Sequence, residues 1–128
     1  MTGVQTCALP ICRALPRAKV IGIDLIPLLL EDARRNVPTA ALVESNVLDV
    51  DYKSLLNDSD AAIVWNKNSF DRKTTQETLA LVRSAAPTVF YIYSNPVFGD
   101  LLAQDECVFT MQGWHKNWNA KAYLLRSG

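Results

Sequence analysis

Short apolar runs alternate with helix-like stretches along most of this chain. Four runs are rich in β-branched or aromatic residues: 19–24, 41–44, 60–65 and 88–93. Continuous apolar runs of this length are typical of strands buried in a parallel sheet. The pattern therefore predicts four parallel strands, each followed by a polar segment or a helix.

Helical periodicity lies between these runs. Pro27 suits the first turn of a helix that ends at Asn36. After the third run, Ser69 or Asp71 can cap a helix that continues to about Ala85. Its core-spaced apolar positions are Leu79, Val82 and Ala86. Two shorter helical segments are expected, at 51–56 and 96–104.

Two further runs, 107–111 and 122–125, leave no room for a helix between them. They predict an antiparallel hairpin that turns between Gly113 and Asn119. Alternating strands and helices followed by such a hairpin predict an α/β fold with a mostly parallel sheet. No internal repeat or low-complexity linker interrupts the pattern, which is typical of one domain.

Composition and charge exclude several classes of function. The chain has 128 residues, 49% of them hydrophobic, and its 13 Lys and Arg balance 13 Asp and Glu. A neutral chain lacks the basic surface expected of a nucleic-acid-binding protein. The apolar stretch Leu25–Leu30 is far shorter than the ~20 residues of a membrane span. The three cysteines (Cys7, Cys12 and Cys107) are too scattered for a zinc site or a disulfide framework, so we expect no metal and a cytoplasmic location. The short apolar stretch likewise predicts no association with a membrane.

The first residues resemble the in-frame translation of a common sequencing-library adapter. Thr2–Ile11 reads TGVQTCALPI, which matches ten successive adapter codons. A foreign segment is set aside when a fold is predicted. We therefore expect residues 1–12 to be non-native and to contribute no element, and residues 13–128 to form a partial domain.

Polar residues follow the first two predicted strands at their carboxyl ends, where open α/β sheets bind ligands. Asp24 can accept hydrogen bonds from the two adjacent hydroxyls of a ribose, or it can cap the helix that follows. Asn46 can meet an adenine amino group while the next backbone amide, at Val47, meets a ring nitrogen. Asn is also a common turn residue, and that alternative is the stronger one for Asn46 taken alone.

The third and fourth strands end in similar polar segments. Asn66 is placed to face a reaction centre, and Phe70 could cover a ring, although a solvated loop before a helix explains such a segment equally well. Asn95, followed by Pro96, is first of all a turn signal. Its position after the neighbouring strand makes it a candidate substrate contact.

Taken in order, these segments resemble class I S-adenosylmethionine-dependent methyltransferases. The resemblance covers about Ala18 to Arg126 and depends on the order and spacing of its motifs, which are Val20–Asp24, Asn46–Asp49, Asp60–Phe70 and the closing hairpin. It implies a Rossmann-like methyltransferase fold in which the strand at 121–126 runs antiparallel beside 88–93. It also implies S-adenosyl-L-methionine as the cofactor.

The resemblance assigns a role to each candidate residue. The implied cofactor contacts are Asp24 at the ribose with Leu25 next to it, and Asn46 with Val47 at the adenine. Asn66 is the implied catalytic residue, beside the methyl group and its acceptor. Phe70 and Asn95 are the candidate substrate contacts.

This chain departs from the family's pattern in two places. The family's first strand and glycine-rich loop should lie just before Arg13, where the adapter-like segment stands, so we expect both to be lost or replaced. The segment from Asn66 to Phe70 keeps only the ends of the Asn-Pro-Pro-aromatic signature of enzymes that methylate exocyclic amines. Methylation of nucleic-acid amines is therefore not supported.

We expect the intact parent to transfer a methyl group from S-adenosyl-L-methionine to an acceptor that the sequence does not identify. This chain, without the glycine-rich loop, should bind the cofactor poorly. The alternatives are a fragment of an NAD-dependent oxidoreductase, with Asp24 on its ribose, and a non-catalytic Rossmann-like fragment. The terminal hairpin suits a methyltransferase better than a dinucleotide-binding half.

Overall fold

A computed structural model describes residues 19–56, 58–67, 70–113 and 119–126. The chain divides into two compact units between Val50 and Asp51. The expectation that residues 1–12 form no element, and the turn of the terminal hairpin at 114–118, lie outside the described residues.

The first unit contains two parallel strands joined by a helix. Strand β1 (Ile21–Asp24) pairs with β2 (Ala41–Glu44), so that Asp24 lies opposite Glu44. Helix α1 (Pro27–Asn36) has its proline in the first turn, as the sequence predicts. Leu30 is buried on its inner side. Polar side chains at the ends of β1 and β2 are therefore close to each other.

The second unit contains a four-stranded sheet with the order β3-β4-β6-β5. Strand β3 (Ala61–Asn66) is parallel to β4 (Thr88–Ser94), and β5 (Glu106–Gln112) is antiparallel to β6 (Asn119–Leu124). Strand β6 lies between β4 and β5 and is antiparallel to both. The predicted insertion of the last strand beside 88–93 is confirmed.

The described residues of the second unit also form two helices and a 3₁₀ turn. Helix α2 (Tyr52–Leu55) precedes β3, α3 (Arg72–Val82) follows it, and a 3₁₀ turn (Gly99–Leu102) follows β4. Asp71 caps α3, since its Oδ1 accepts a hydrogen bond from the Thr74 amide at 2.8 Å. Helix α3 ends before Ala85, the predicted end, because the chain tightens there into a turn. No helix within the described ranges is long and apolar enough to cross a membrane.

The core of the second unit includes one face of β4. Val89, Tyr91 and Tyr93 alternate with half-buried residues, as expected for a strand with one face in the core. Thr75 and Thr78 are also buried, which apolar spacing did not predict. Their hydroxyls donate to the main-chain oxygens four residues earlier, at 2.8 and 2.7 Å, so both are satisfied within the helix.

Candidate functional site

Asp24, the last residue of β1, keeps part of its hydrogen-bonding capacity. Its Oδ1 accepts a hydrogen bond from the Ile26 amide at 3.0 Å, and Ile26 is the residue at the N-cap of α1. The carboxylate thus shapes the entry to the helix but does not cap its first-turn amides. Oδ2 accepts no hydrogen bond from the described residues, so one oxygen is structural and the other can accept a hydrogen bond from a ligand.

Asn46 lies just beyond the partner of Asp24, because the Ser45 amide donates to the Asp24 carbonyl at 3.0 Å. The Asn46 Oδ1 accepts a hydrogen bond from the Leu48 amide at 3.0 Å, and its carbonyl accepts one from the Asp49 amide at 3.0 Å. These bonds form a turn, which is the role that the sequence favours for Asn46 taken alone. A second lone pair on Oδ1 still allows contact with an amino group.

The two neighbours of these residues differ in exposure. Leu25 is 61% exposed, and Val47 is half-buried. Leu25 directly follows β1, and Val47 comes three residues after the end of β2, so all four predicted cofactor contacts lie at or just beyond the carboxyl edge of the β1–β2 pair.

Asn66, the last residue of β3, is 4% exposed. Its Nδ2 donates a hydrogen bond to the Oη of Tyr91 at 2.8 Å, within the core. Tyr91 is on β4, two residues before Tyr93, the residue that lies opposite Asn66 in the sheet register. The predicted catalytic residue is therefore held by a buried phenol that sequence analysis did not single out.

Asn95 directly follows β4, at the same sheet edge as Asn66. It adopts a left-handed backbone conformation (φ 51°), which asparagine tolerates better than most residues. Its amide donates to the Asn119 carbonyl at 2.7 Å, and its carbonyl accepts from the Val97 amide at 2.8 Å. Asn95 is therefore a turn residue, as its sequence signal indicates. Phe70 is half-buried just before α3.

A surface ion pair joins the two segments that follow β3 and β4. The Arg72 guanidinium donates to both carboxylate oxygens of Asp100, with 3.0 Å between Nη1 and Oδ1. The same guanidinium lies 6.0 Å from the centre of the Phe98 ring. Hydrogen bonding to Arg72 lowers the pKa of the Asp100 carboxyl. Both side chains are more than half exposed, so the pair mainly restrains the geometry of this edge.

Burial raises the pKa of Tyr91 to about 12, against an ordinary value of 10.0, and the Asn66 hydrogen bond acts in the opposite direction. The phenol therefore stays protonated as pH rises past 10, where the tyrosines of the unfolded chain ionise. The contribution of Tyr91 to the free energy of unfolding is therefore fully present below pH 10, and it is lost as pH rises toward the pKa of Tyr91 in the folded chain. We expect a loss of about 2 kcal/mol from Tyr91 over this range.

Urea denaturation at about pH 9 and about pH 12 measures this loss. The Tyr91→Phe variant has no phenol to ionise and should lose correspondingly less. An equal fall in both proteins would contradict the assignment.

No group of three metal-ligating side chains occurs among the described residues.

Solved structures resemble this chain, whereas no protein-family model and no curated protein sequence matches it. A TehB-like SAM-dependent methyltransferase from Corynebacterium glutamicum superposes with a TM-score of 0.56 at 18% identity, over 84% of this chain and 68% of that one. The tRNA (uracil-54, C5)-methyltransferase of Pyrococcus abyssi, solved with S-adenosyl-L-homocysteine, gives 0.60 at 17% identity, over 90% and 30%. The chain has the class I methyltransferase fold.

The similarity to solved structures covers most of this chain. The PH0226 protein from Pyrococcus horikoshii matches with a TM-score of 0.65 at 10% identity, and the match covers 95% of this chain and 78% of that one. The α/β class predicted from the alternating pattern is confirmed. The Rossmann-like methyltransferase fold inferred from the family resemblance is confirmed with it.

Proposed function

We propose that this chain is the methyltransferase domain, or part of it, of an enzyme that transfers a methyl group from S-adenosyl-L-methionine. The observation that carries the proposal is the position of β6, antiparallel and between β4 and β5. Such an insertion argues against the NAD-dependent alternative, in which a parallel dinucleotide-binding half leads into a substrate domain. The free, exposed Cys107 suits a reducing compartment such as the cytosol.

The first unit would hold the adenosine half of the cofactor. The Oδ2 of Asp24 can accept a hydrogen bond from a ribose hydroxyl, and Leu25 offers an exposed apolar side chain beside it. The Asn46 turn places its carboxamide and the Val47 backbone at the next strand end, where an adenine would be read. The Oδ2 of Asp24 and the second lone pair of the Asn46 Oδ1 therefore fit the ligand.

The second unit would act on the methyl acceptor. When bound, the sulfonium cofactor supplies an electrophilic methyl group, so alignment of the acceptor accounts for most of the rate enhancement. Asn66 would orient the acceptor by hydrogen bonding, while Phe70 and Asn95 would border it. A strong general base is not required by this chemistry.

We also propose that this chain binds its cofactor weakly. Gly3 is the only glycine before Gly22, so the sequence before β1 contains no glycine-rich loop for the methionine half. The adenosine contacts alone would then provide the affinity.

Asp24→Ala should weaken binding of S-adenosyl-L-homocysteine by about 1.5–3 kcal/mol, the scale of hydrogen bonds to a charged group. Asp24→Asn should weaken binding as well, yet retain the acceptor for the Ile26 amide and hence the stability of the chain. Titration calorimetry measures the affinities, and Glu31→Ala, which removes another exposed carboxylate of the same unit, is the control.

Unchanged affinity in both Asp24 variants would reduce the residue to a structural role at the helix entry. Tighter binding of NAD than of S-adenosyl-L-homocysteine by the unaltered chain would favour the oxidoreductase alternative.

A further inference from the structure

Strand β5 is the last strand in the order β3-β4-β6-β5, so it has an outer edge. Among the described strands it pairs with β6 alone, and all seven of its residues are exposed. The outer edge of a sheet presents main-chain N–H and C=O groups that can pair with a further strand. Native proteins often protect such an edge with charged side chains, but the only charged residue of β5 is Glu106, at its first position.

Three of the exposed side chains of β5 are large and apolar. Val108, Phe109 and Met111 are 45%, 61% and 53% exposed. Phe109 and Met111 lie opposite two alanines of β6, Ala122 and Ala120, whose small side chains cover little of them. Exposed apolar side chains grouped in this way are typical of an interaction surface.

A bulge divides β5 into two parts. The register with β6 shifts between Cys107 and Phe109, which leaves Val108 as an extra residue with no counterpart on β6. From Phe109 onward the side chains alternate regularly, so Phe109 and Met111 share one face of the sheet and Thr110 lies on the other. The regular stretch after the bulge is therefore the part of β5 to which another strand can be matched.

We propose that β5 pairs with the β5 of a second copy of this chain, antiparallel and with Thr110 at the two-fold axis. In this register Phe109 of each copy lies opposite Met111 of the other, and the two Thr110 residues face each other. Both are favourable cross-strand pairs. No charged side chain lies within Val108–Gln112, so the copies bring no like charges together. An axis at Phe109 would instead match Met111 with Cys107, beyond the bulge and on the opposite face.

This self-complementarity favours a second copy over a foreign strand as the partner. Pairing over Val108–Gln112 buries much less than the ~1,200 Å² of a stable interface, so the dimer should be weak. Because each copy has one β5, the pairing uses both outer edges and stops at two chains. The inference is independent of the proposed function, since no predicted cofactor or substrate contact lies on β5.

The first experiment measures the average mass by sedimentation equilibrium between about 10 µM and about 1 mM chain. The mass of the unaltered chain should rise from that of one chain toward that of two. Phe109→Lys and Met111→Lys should each raise the dissociation constant about tenfold or more, because charges on an edge strand oppose pairing. Both positions are more than half exposed, so both variants should fold, which far-UV circular dichroism checks.

Ile63→Lys is the matched control. Ile63 is 54% exposed and lies on the same face of the sheet as Phe109, but on β3, at the other end of the strand order. The dissociation constant of this variant should equal that of the unaltered chain. Equal weakening in all three variants would overturn the proposal, because the face of the sheet would then be what associates. An unaltered chain that stays monomeric, or that forms assemblies larger than two chains, would also overturn it.

The second experiment tests the register and leaves the apolar pairs intact. In a chain whose three cysteines are replaced by serine, Thr110→Cys should form a disulfide-linked dimer on mild oxidation. Residues that face each other across antiparallel strands are within disulfide reach. Gln112→Cys is the control, because its two copies would lie about 13 Å apart along the strands, beyond that reach. Equal yields of linked dimer from the two variants, or none from Thr110→Cys, would overturn the proposed pairing.

Discussion

Replacing Leu79 with alanine should lower the free energy of unfolding by about 3 kcal/mol. The side chain is on α3 and is only 3% exposed. Its truncation removes apolar contacts and leaves a cavity that the neighbouring side chains fill incompletely. The loss can be measured by urea denaturation, with the slope of the transition unchanged.

Leu81 is a matched control on the same helix. It is 40% exposed, so Leu81→Ala has the same chemistry and the same change in helix propensity but removes less buried surface. We expect a loss of about 1 kcal/mol or less. Comparable losses in the two variants would show that the inner face of α3 is not the one assigned.

Most elements of the fold could be predicted from local patterns. The strand at 41–44 and the helix from Pro27 to Asn36 were predicted with their observed bounds. Buried apolar positions recur at the period of each element, and a proline marks the start of the helix. Helix α3 was predicted to end about three residues late, since Ala85 and Ala86 continue its apolar spacing into the turn. The insertion of β6 beside β4 came from the family resemblance, because pattern alone predicts a hairpin but not its neighbour.

The contacts that organise the second unit could not be predicted. Asn66 and Tyr91 are 25 residues apart, and Arg72 and Asp100 are 28 apart. Such pairs form only because the strand order brings distant segments together, and no local periodicity encodes that order. The available signal for Tyr91 was a pair of tyrosines two positions apart in the predicted strand 88–93.

At the candidate site, the structure shows the local hydrogen bonds of three predicted residues. Asn46 and Asn95 both proved to be turn residues, the alternative favoured for each of them. Asp24 does not cap the helix, because its Oδ1 accepts a hydrogen bond from the Ile26 amide and none from the first turn; its Oδ2 accepts no hydrogen bond from the described residues, and the ribose contact stays a prediction. The local bonds of a short polar side chain use only part of its capacity, so the sequence does not separate the two roles.

Asp105 joins three segments of the second unit. Both of its oxygens accept hydrogen bonds from the Arg83 guanidinium, at 2.5 and 2.7 Å, and Oδ1 also accepts one from the Arg126 amide at 2.9 Å. The Asp105 side chain is 1% exposed and that of Arg83 is 21% exposed. Hydrogen bonding to Arg83 lowers the pKa of Asp105, so the carboxylate remains charged under ordinary conditions.

Asp105→Asn should therefore cost about 3 kcal/mol at neutral pH, because it leaves a mostly buried guanidinium without its counter-charge. Asp100→Asn, which alters the exposed pair with Arg72, should change stability little.

The lowered pKa of Asp105 fixes the sign of the pH dependence: its contribution to stability is present above the unfolded pKa of about 4 and is lost as pH falls through the folded value. Urea denaturation of the three proteins at neutral and acidic pH measures both effects. The gap between Asp105→Asn and the unaltered chain should narrow in acid, and a gap that stays constant would mean that the loss comes from geometry instead of charge.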